Sequence, residues 1–142
     1  MEILLKEPVP GDIGWLISTH GAIYSQQFHF DLGFEIDIAR KVFSFYQQTD
    51  DFNVLFIAHV GDTRVGSIAV SRKPDNSAFV NFLVVLKEYR GKGVAKKLFD
   101  RVLDRSRKHG FERLRLETCS CLIVSVHGVR KALRWRVVTI RN

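Results

Sequence analysis

The chain has 142 residues, of which 46% are hydrophobic and 26% charged, a size and composition typical of one soluble globular domain with a sizeable core. It has no apolar segment of membrane-spanning length and no signal-peptide pattern, and Cys119 and Cys121 suit neither a stapling disulfide nor a zinc site. The net charge of +7 and the pI near 9.7 predict an anionic ligand or partner, and nucleic acid is one candidate. We therefore expect a cytoplasmic protein in which residues 1–142 form a single domain.

The first third of the chain predicts a short strand and two helices. Residues 3–6 favour a strand, and Pro10, Gly11 and Asp12 are typical of a helix start. The apolar face of that helix carries Ile13, Leu16, Ile17, His20 and Tyr24. A second helix is predicted over residues 34–48, with a core-facing stripe of Phe34, Ile38, Val42 and Phe45 and with Phe43 and Tyr46 beside it.

Three strands follow. Residues 53–60 and 64–72 flank the turn Gly61-Asp62-Thr63 and predict an antiparallel hairpin. After a second turn at residues 74–76, the apolar run over residues 79–86 lacks clean alternation. We expect it to be a central strand that is buried on both faces.

A glycine turn joins this strand to a basic helix. The turn contains Gly91 and Gly93, the helix is predicted over residues 93–109 and stops at Gly110, and a fifth strand follows over residues 113–118. Free amides at the helix start, together with Arg90, Lys92, Lys96 and Lys97, predict a phosphate or pyrophosphate site. A plain strand-to-helix connection with solvated basic residues is the alternative. Neither the Walker nor the dinucleotide glycine pattern is matched.

The segment Arg90-Gly91-Lys92-Gly93-Val94-Ala95 resembles the Arg/Gln-x-x-Gly-x-Gly/Ala signature of the GCN5-related N-acetyltransferases, the GNAT superfamily. The stretch GDIGWLISTHGAIYSQQFHFD also resembles GNAT domains found alone or fused to MarR-type regulators, and the resemblance spans residues 3–117. It implies an α+β fold: a mixed, mostly antiparallel β-sheet with helices on both faces, in the order βααβββαβ followed by an atypical C-terminal strand.

The resemblance also implies a cosubstrate and roles for individual residues. Acetyl-CoA would bind with its pyrophosphate at the loop amides of residues 90–96, and the preceding strand would splay to receive the pantetheine arm. The amides of Leu83, Val84 and Val85 would polarise the acetyl carbonyl. Glu117 is the candidate base, directly or through water, and Asn81 is a candidate to orient that water. Ordinary solvated or polar strand positions are the alternative for both residues.

Around the first helix, His20, Tyr24 and Glu35 lie in the region that covers the acceptor site in the family, so they are candidates to contact a small-molecule or peptide amine. A satisfied core position is the alternative for His20 and Tyr24. We expect no metal, because no helical pair of histidines with a third carboxylate ligand is evident.

Residues 118–142 depart from the family pattern. The family has a helix here that often carries a catalytic Tyr acid, but this chain has no Tyr after Tyr89. Residues 133–140 favour a strand, because Val137, Val138, Thr139 and Ile140 are β-branched. The tail therefore predicts a replacement strand, an incomplete acceptor side, or a sheet edge that pairs with a second subunit.

The favoured function is acetyl transfer from acetyl-CoA to an amine. Two alternatives remain open: a catalytically impaired CoA-binding relic, and a nucleic-acid-binding module that uses the basic helix and tail. The second is disfavoured because neither a recognition motif nor interleaved aromatic residues accompany the basic helix.

Overall fold

A computed structural model describes residues 1–119 and 135–141 of the chain, and describes side chains as far as residue 116. Its elements follow the predicted order: β1 (Leu4–Lys6), α1 (Asp12–Phe28), α2 (Leu32–Gln47), β2 (Val54–Val60), β3 (Thr63–Arg72), β4 (Ala78–Val85), α3 (Val94–Lys108), β5 (Arg113–Cys119) and β6 (Trp135–Arg141). A single 3-10 turn, Lys87–Tyr89, lies between β4 and α3.

The strands form one six-stranded sheet in the order β1-β2-β3-β4-β5-β6. Every neighbouring pair is antiparallel except β4 and β5, which are parallel and are joined through α3. A parallel pair needs such a crossover, because its second strand must start at the same end of the sheet as the first. The predicted mixed, mostly antiparallel α+β architecture is confirmed.

Helices cover both faces of the sheet. On one face, α1 and α2 pack Leu16, Ile38 and Val42 against Leu55 and Ile57 of β2. On the other face, α3 contributes Val94, Leu98 and Val102 to the larger core cluster, which it shares with Phe56, Val65 and Ile68. No helix within residues 1–119 combines the length and apolar character needed to cross a bilayer.

The aromatic stripe predicted for α2 is only partly correct. Ile38, Val42 and Phe45 are buried, but Phe43 is 67% exposed and Tyr46 is 51% exposed. Successive residues of a helix point about 100° apart, so Phe43, next to the buried Val42, points away from the core.

The expectation that β4 is buried on both faces is wrong. The strand is central, but buried Ala78, Val80, Phe82 and Val84 alternate with four half-buried residues. A β-bulge explains why the alternation does not simply divide two faces: Ser67 pairs with Val84 while Ala69 pairs with Asn81, so β4 has one extra residue at this point. Phe82, in the bulge, has a φ of 55°.

The β-strand predicted for the tail is confirmed over Trp135–Arg141. It pairs antiparallel along the whole of β5, from Arg113 opposite Arg141 to Cys119 opposite Trp135. Residues 133 and 134 of the predicted strand lie outside the described residues.

Candidate active site

The glycine turn before α3 forms an open, donor-rich helix start. Gly91 and Gly93 have φ values of 74° and 88°, in the left-handed region that favours glycine. Gly93 is the N-cap of α3, no side chain caps the helix, and the backbone bond from Lys97 N–H to the Gly93 carbonyl closes the first turn. The amides of residues 94–96 precede that bond and have no partner within the helix. A Cβ placed on either glycine would meet nothing within 4 Å, so there is space above the turn.

The predicted cations around this turn are mostly engaged in contacts within the protein. Arg90 donates from Nε to the Val85 carbonyl at 3.1 Å and from Nη1 to Gln27 Oε1 at 3.0 Å, which ties the turn to β4 and to α1. Lys96 pairs with Asp100 at 2.6 Å, and Lys97 donates to the Ile3 carbonyl at 2.6 Å. The backbone amides and Lys92, which lies 5.7 Å from the Tyr89 ring centroid, are therefore the groups best placed to meet an anion.

The parallel strands β4 and β5 separate as they approach this turn. Their pairing runs from Ala78 opposite Leu114 to Val80 opposite Leu116 and ends there. β4 continues to Val85 and β5 continues to Cys119, the latter paired only with β6. Among the described strands, the β5-facing backbone edge of residues 81–85 therefore has no ladder partner. Leu83, Val84 and Val85, predicted as carbonyl-polarising positions, lie on this edge.

Ser67 fixes the shape of β4 at the gap. Its buried hydroxyl donates to the Phe82 carbonyl at 2.6 Å, which satisfies a backbone group that the bulge removes from the ladder. Gly66, the neighbouring residue on β3, allows the strands to approach closely, because a Cβ there would lie 2.6 Å from the Val84 carbonyl oxygen.

A pocket of about 290 Å³ opens between α1, α2 and β4. We call it the helix–strand pocket. Aromatic and aliphatic side chains dominate its walls, with a few polar groups and two lysines: His20, Tyr24, Phe34, Ile38, Lys41, Ser44, Phe45, Gln48, Ser71, Lys73, Phe79, Val80, Asn81, Phe82, Leu83 and Leu116. It shares Asn81, Phe82 and Leu83 with the unpaired edge of β4, so the pocket and the strand gap adjoin.

His20, which lines this pocket, has an unused hydrogen-bond acceptor. Its side chain is 3% exposed, and Nδ1 lies 2.8 Å from the Leu16 carbonyl oxygen. A carbonyl can only accept, so Nδ1 carries the proton and Nε2 carries a lone pair. Nε2 is buried without a hydrogen-bond partner. Burial lowers the pKa of His20 to about 4, outweighing the opposite effect of the Leu16 hydrogen bond, so the ring is neutral near pH 7.

Tyr24 stacks one helical turn after His20, with ring centroids 6.4 Å apart. Phe34 of α2 also stacks on Tyr24, with ring centroids 4.5 Å apart. Burial is the larger influence on the Tyr24 hydroxyl and raises its pKa, while the nearby Arg90 charge lowers it. The hydroxyl is therefore protonated near neutral pH.

The structure brings some predicted site residues together and separates others. His20, Tyr24 and Asn81 line the helix–strand pocket, and Asn81 Nδ2 lies 3.5 Å from Ser71 Oγ. Glu35 does not line the pocket; its carboxylate lies over Gly21 of α1. Glu117 lies on β5 just after the pairing with β4 ends, opposite Val137 of β6.

Sequence reasoning missed Lys41, Lys73, Phe79 and Phe82 as pocket residues. Lys41 lies on a predicted helix and Lys73 directly follows a predicted strand, positions at which lysines are typically solvated. Nothing in the sequence therefore indicated that either residue lines a pocket. Phe82 enters the pocket because of the bulge, and an insertion of one residue into a strand has no marker in an apolar run.

No group of three or more histidine, cysteine, aspartate or glutamate residues is arranged to hold a metal ion within the part of the chain that the structure describes.

Comparisons with known proteins agree with this geometry. The model of the Acetyltransferase (GNAT) family matches residues 20–127, which is more than half of the chain. No protein of curated function matches. The fold is similar to a GNAT-family acetyltransferase of Staphylococcus aureus Mu50, with a TM-score of 0.72 and 20% identity over 89% of this chain and 79% of that one.

Two further solved structures match almost end to end. An acetyltransferase of Streptococcus agalactiae has a TM-score of 0.67 and 21% identity over 99% of this chain and 98% of that one. A predicted acetyltransferase of Clostridium acetobutylicum, solved with acetyl-CoA, has a TM-score of 0.64 and 12% identity over 92% of each chain. The resemblance seen in the glycine turn is thus confirmed by the family match and by the fold: this chain belongs to the GNAT acetyltransferase family.

Proposed function

We propose that this protein transfers the acetyl group of acetyl-CoA to the amine of a small molecule or peptide. The observation that carries the proposal is the strand gap between β4 and β5, which opens directly beside an uncapped helix start with two left-handed glycines. An extended cosubstrate with a pyrophosphate at its middle needs both features at once. A plain strand-to-helix connection needs neither.

The residues at the turn fit acetyl-CoA. The open space above Gly91 and Gly93 accepts a pyrophosphate near the backbone, and the amides of Val94, Ala95 and Lys96 point donors toward it at the positive end of the helix dipole. Lys92 adds a cation. Arg90 would act mainly by holding the turn, through its bonds to Val85 and Gln27. The similar Clostridium structure was solved with acetyl-CoA, which supports the same cosubstrate here.

Acetyl-CoA would supply the acetyl group as a thioester, whose carbon–sulfur bond breaks as the new carbon–nitrogen bond forms. The unpaired edge across Leu83, Val84 and Val85 would offer a backbone amide to polarise the carbonyl oxygen. Glu117, placed where β5 leaves β4, would accept the amine proton, directly or through a water held by Asn81. Few catalytic groups are needed, because holding the amine and the thioester in the right orientation supplies much of the rate acceleration.

We expect slow turnover. No Tyr follows Tyr89, so the tail offers no phenol to protonate the departing thiolate, and water must do so. A general acid typically contributes roughly 10²–10⁴-fold, so we expect a kcat well below the usual enzyme median of about 10 per second. A kcat near that median on any amine would contradict the account of the tail.

The test of the proposed function is release of free CoA thiol from acetyl-CoA, measured over a panel of primary amines with mass spectrometry of the acetylated product. Amine-dependent thiol release with an N-acetyl product supports the proposal. Amine-independent background alone, from protein shown to bind acetyl-CoA, would support the catalytically impaired relic instead.

Nucleic-acid binding has no comparable support. The basic residues of α3 form contacts within the protein: Arg105 donates to the Phe52 and Asp51 carbonyls at 2.8 Å, and Arg101 lies 5.0 Å from the Phe56 ring centroid. Lys96 and Lys108 pair with Asp100 and Asp104 along the same helix.

A further inference from the structure

The walls of the helix–strand pocket favour a ligand with an aromatic or large aliphatic body. Five of its sixteen lining residues are aromatic: Tyr24, Phe34, Phe45, Phe79 and Phe82. Tyr24 stacks on Phe34 with centroids 4.5 Å apart, and the edge of Phe45 meets Phe82 at 6.1 Å. Such rings bury apolar area and hold another ring in offset or edge geometry. The volume of about 290 Å³ lies at the small end of ligand pockets, which suits a single small molecule.

His20 adds one directional polar contact. His20 lines the pocket, its Nε2 is buried without a hydrogen-bond partner, and its Nδ1 is occupied by the Leu16 carbonyl. A buried acceptor without a partner is unfavourable, so a ligand N–H that reaches Nε2 recovers that interaction on binding. The neutral ring accepts a hydrogen bond from an amine and does not repel it.

The charges of the pocket favour an anionic group on the same ligand. Lys73 and Lys41 line it, and none of its described lining residues is an aspartate or glutamate. Lys73 Nζ lies 4.8 Å from the Phe79 ring centroid, and within residues 1–116 it has no ion pair. Lys41 lies 3.7 Å from Asp37, which balances part of its charge. The cation of Lys73 is therefore the main charge available to a ligand.

From these three features we propose that the acceptor is a free α-amino acid with an aromatic or large aliphatic side chain. Its amine donates to His20 Nε2, its carboxylate meets Lys73, and its side chain packs among Tyr24, Phe34 and Phe45. This proposal rests on the amine acetyl transfer proposed above and specifies its substrate class. Polyamines and aminoglycosides are disfavoured because they would bring further positive charge to two lysines. A peptide N-terminus is disfavoured because the carboxyl group of its first residue forms a peptide bond and carries no charge.

The test compares L-phenylalanine with L-phenylalaninamide, which has the same size and ring but no carboxylate. Thiol release gives kcat/KM for each compound with the full-length protein. Spermidine and a short peptide that begins with phenylalanine complete the panel. Phenylalaninamide has a less basic α-amine than phenylalanine, so a larger fraction of it is unprotonated and able to react. This difference alone would favour phenylalaninamide, the opposite of the expected result. We expect kcat/KM at least about tenfold higher for phenylalanine, the usual scale of one charge-assisted contact.

Two variants locate the contacts. Lys73→Met retains the apolar stem and removes the charge, so it should lower kcat/KM for phenylalanine about tenfold and leave the amide nearly unchanged. Lys108→Met, at the far end of α3, is the matched control and should preserve the preference. His20→Phe keeps a ring but removes the acceptor, and equilibrium binding of both compounds should weaken to a similar degree.

The outcomes separate this inference from the proposed function. Equal or faster acetylation of the amide, the peptide or spermidine would overturn the amino-acid assignment while supporting amine acetyl transfer. An unchanged preference in Lys73→Met would also overturn it. Acetylation of no amine at all would overturn the proposed function and this inference together.

Discussion

At the scale of the residue, His20 connects the packing of α1 with the chemistry of the pocket. It is a buried, neutral histidine that lines the pocket, with one nitrogen satisfied by Leu16 and the other without a hydrogen-bond partner. The sequence placed His20 and Tyr24 correctly on the inner face of α1, because helical spacing reveals which side chains share a face. Glu35, predicted in the same group, lies over Gly21 of α1 and does not line the pocket, and its contact with the acceptor stays a prediction.

The low pKa of His20 predicts a pH-dependent stability. The folded value of about 4 is below the ordinary value of 6.5, so the unfolded chain takes up a proton first as the pH falls. The stability contributed by the neutral ring is therefore complete above pH 6.5 and is lost progressively toward pH 4. Between pH 7 and pH 5 the loss should be about 2 kcal/mol.

Urea denaturation at pH 7 and pH 5 measures this effect. His20→Gln cannot titrate and should lose about 2 kcal/mol less than the unmodified chain over that interval. His109→Gln, which removes an exposed histidine at the end of α3 and leaves His20 in place, is the control. Identical pH dependence in all three proteins would show that His20 is not buried in its neutral form.

At the scale of the element, the bulged pair of β3 and β4 determines where the site opens. The structure places Gly66 against Val84 and Ser67 against Phe82, beside the extra residue in β4. Gly66→Ala should therefore destabilise the fold by about 1–3 kcal/mol, because the new Cβ would lie 2.6 Å from a backbone oxygen that cannot move away cheaply.

Gly14→Ala is the matched control, since it is the same substitution in an exposed turn of α1. A Cβ at Gly14 meets nothing within 4 Å, so alanine should stabilise the fold by about 0.5–1 kcal/mol through helix propensity. Opposite signs in thermal or urea denaturation are the expected result. A neutral or stabilising Gly66→Ala would mean that β3 and β4 do not approach as closely as described.

The elements themselves were largely predictable, whereas the bulge was not. Turn residues, apolar periodicity and β-branched runs predicted the order of all nine helices and strands given above, including β6. The apolar run of β4 suggested burial on both faces, but alternate residues are only half-buried, and Phe79, Asn81 and Leu83 among them line the pocket. An apolar strand composition does not distinguish residues buried in the core from residues that line a ligand pocket.

At the scale of the whole molecule, β6 extends the sheet beyond β5. Its full pairing with β5 makes it part of the sheet. Truncation after Thr118 removes this partner and should lower the free energy of unfolding or cause aggregation, since an exposed strand edge invites pairing between chains. The prediction of a homodimer through a sheet edge stays open, and sedimentation of the full-length chain tests it.

Paired proline variants provide a finer test of β6. In an antiparallel pair, adjacent residues direct their backbone groups alternately toward and away from the neighbouring strand. One of Val137→Pro and Val138→Pro must therefore remove a hydrogen bond to β5, while the other need not. We expect clearly unequal losses of stability. Equal, negligible losses, together with an undiminished stability of the truncated chain, would show the tail to be an appendage.

The central claim is that the turn at Gly91 and Gly93 binds the pyrophosphate of acetyl-CoA, and calorimetric titration with acetyl-CoA tests it directly. Gly93→Asp places bulk and negative charge over the helix start, so it should abolish binding. Gly110→Asp is matched in chemistry, because Gly110 also has a left-handed φ (78°) and open space, but lies beyond the other end of α3. The account predicts binding to the unmodified chain and to Gly110→Asp, and none to Gly93→Asp. Undiminished binding to Gly93→Asp, or no binding to the unmodified chain, would contradict it.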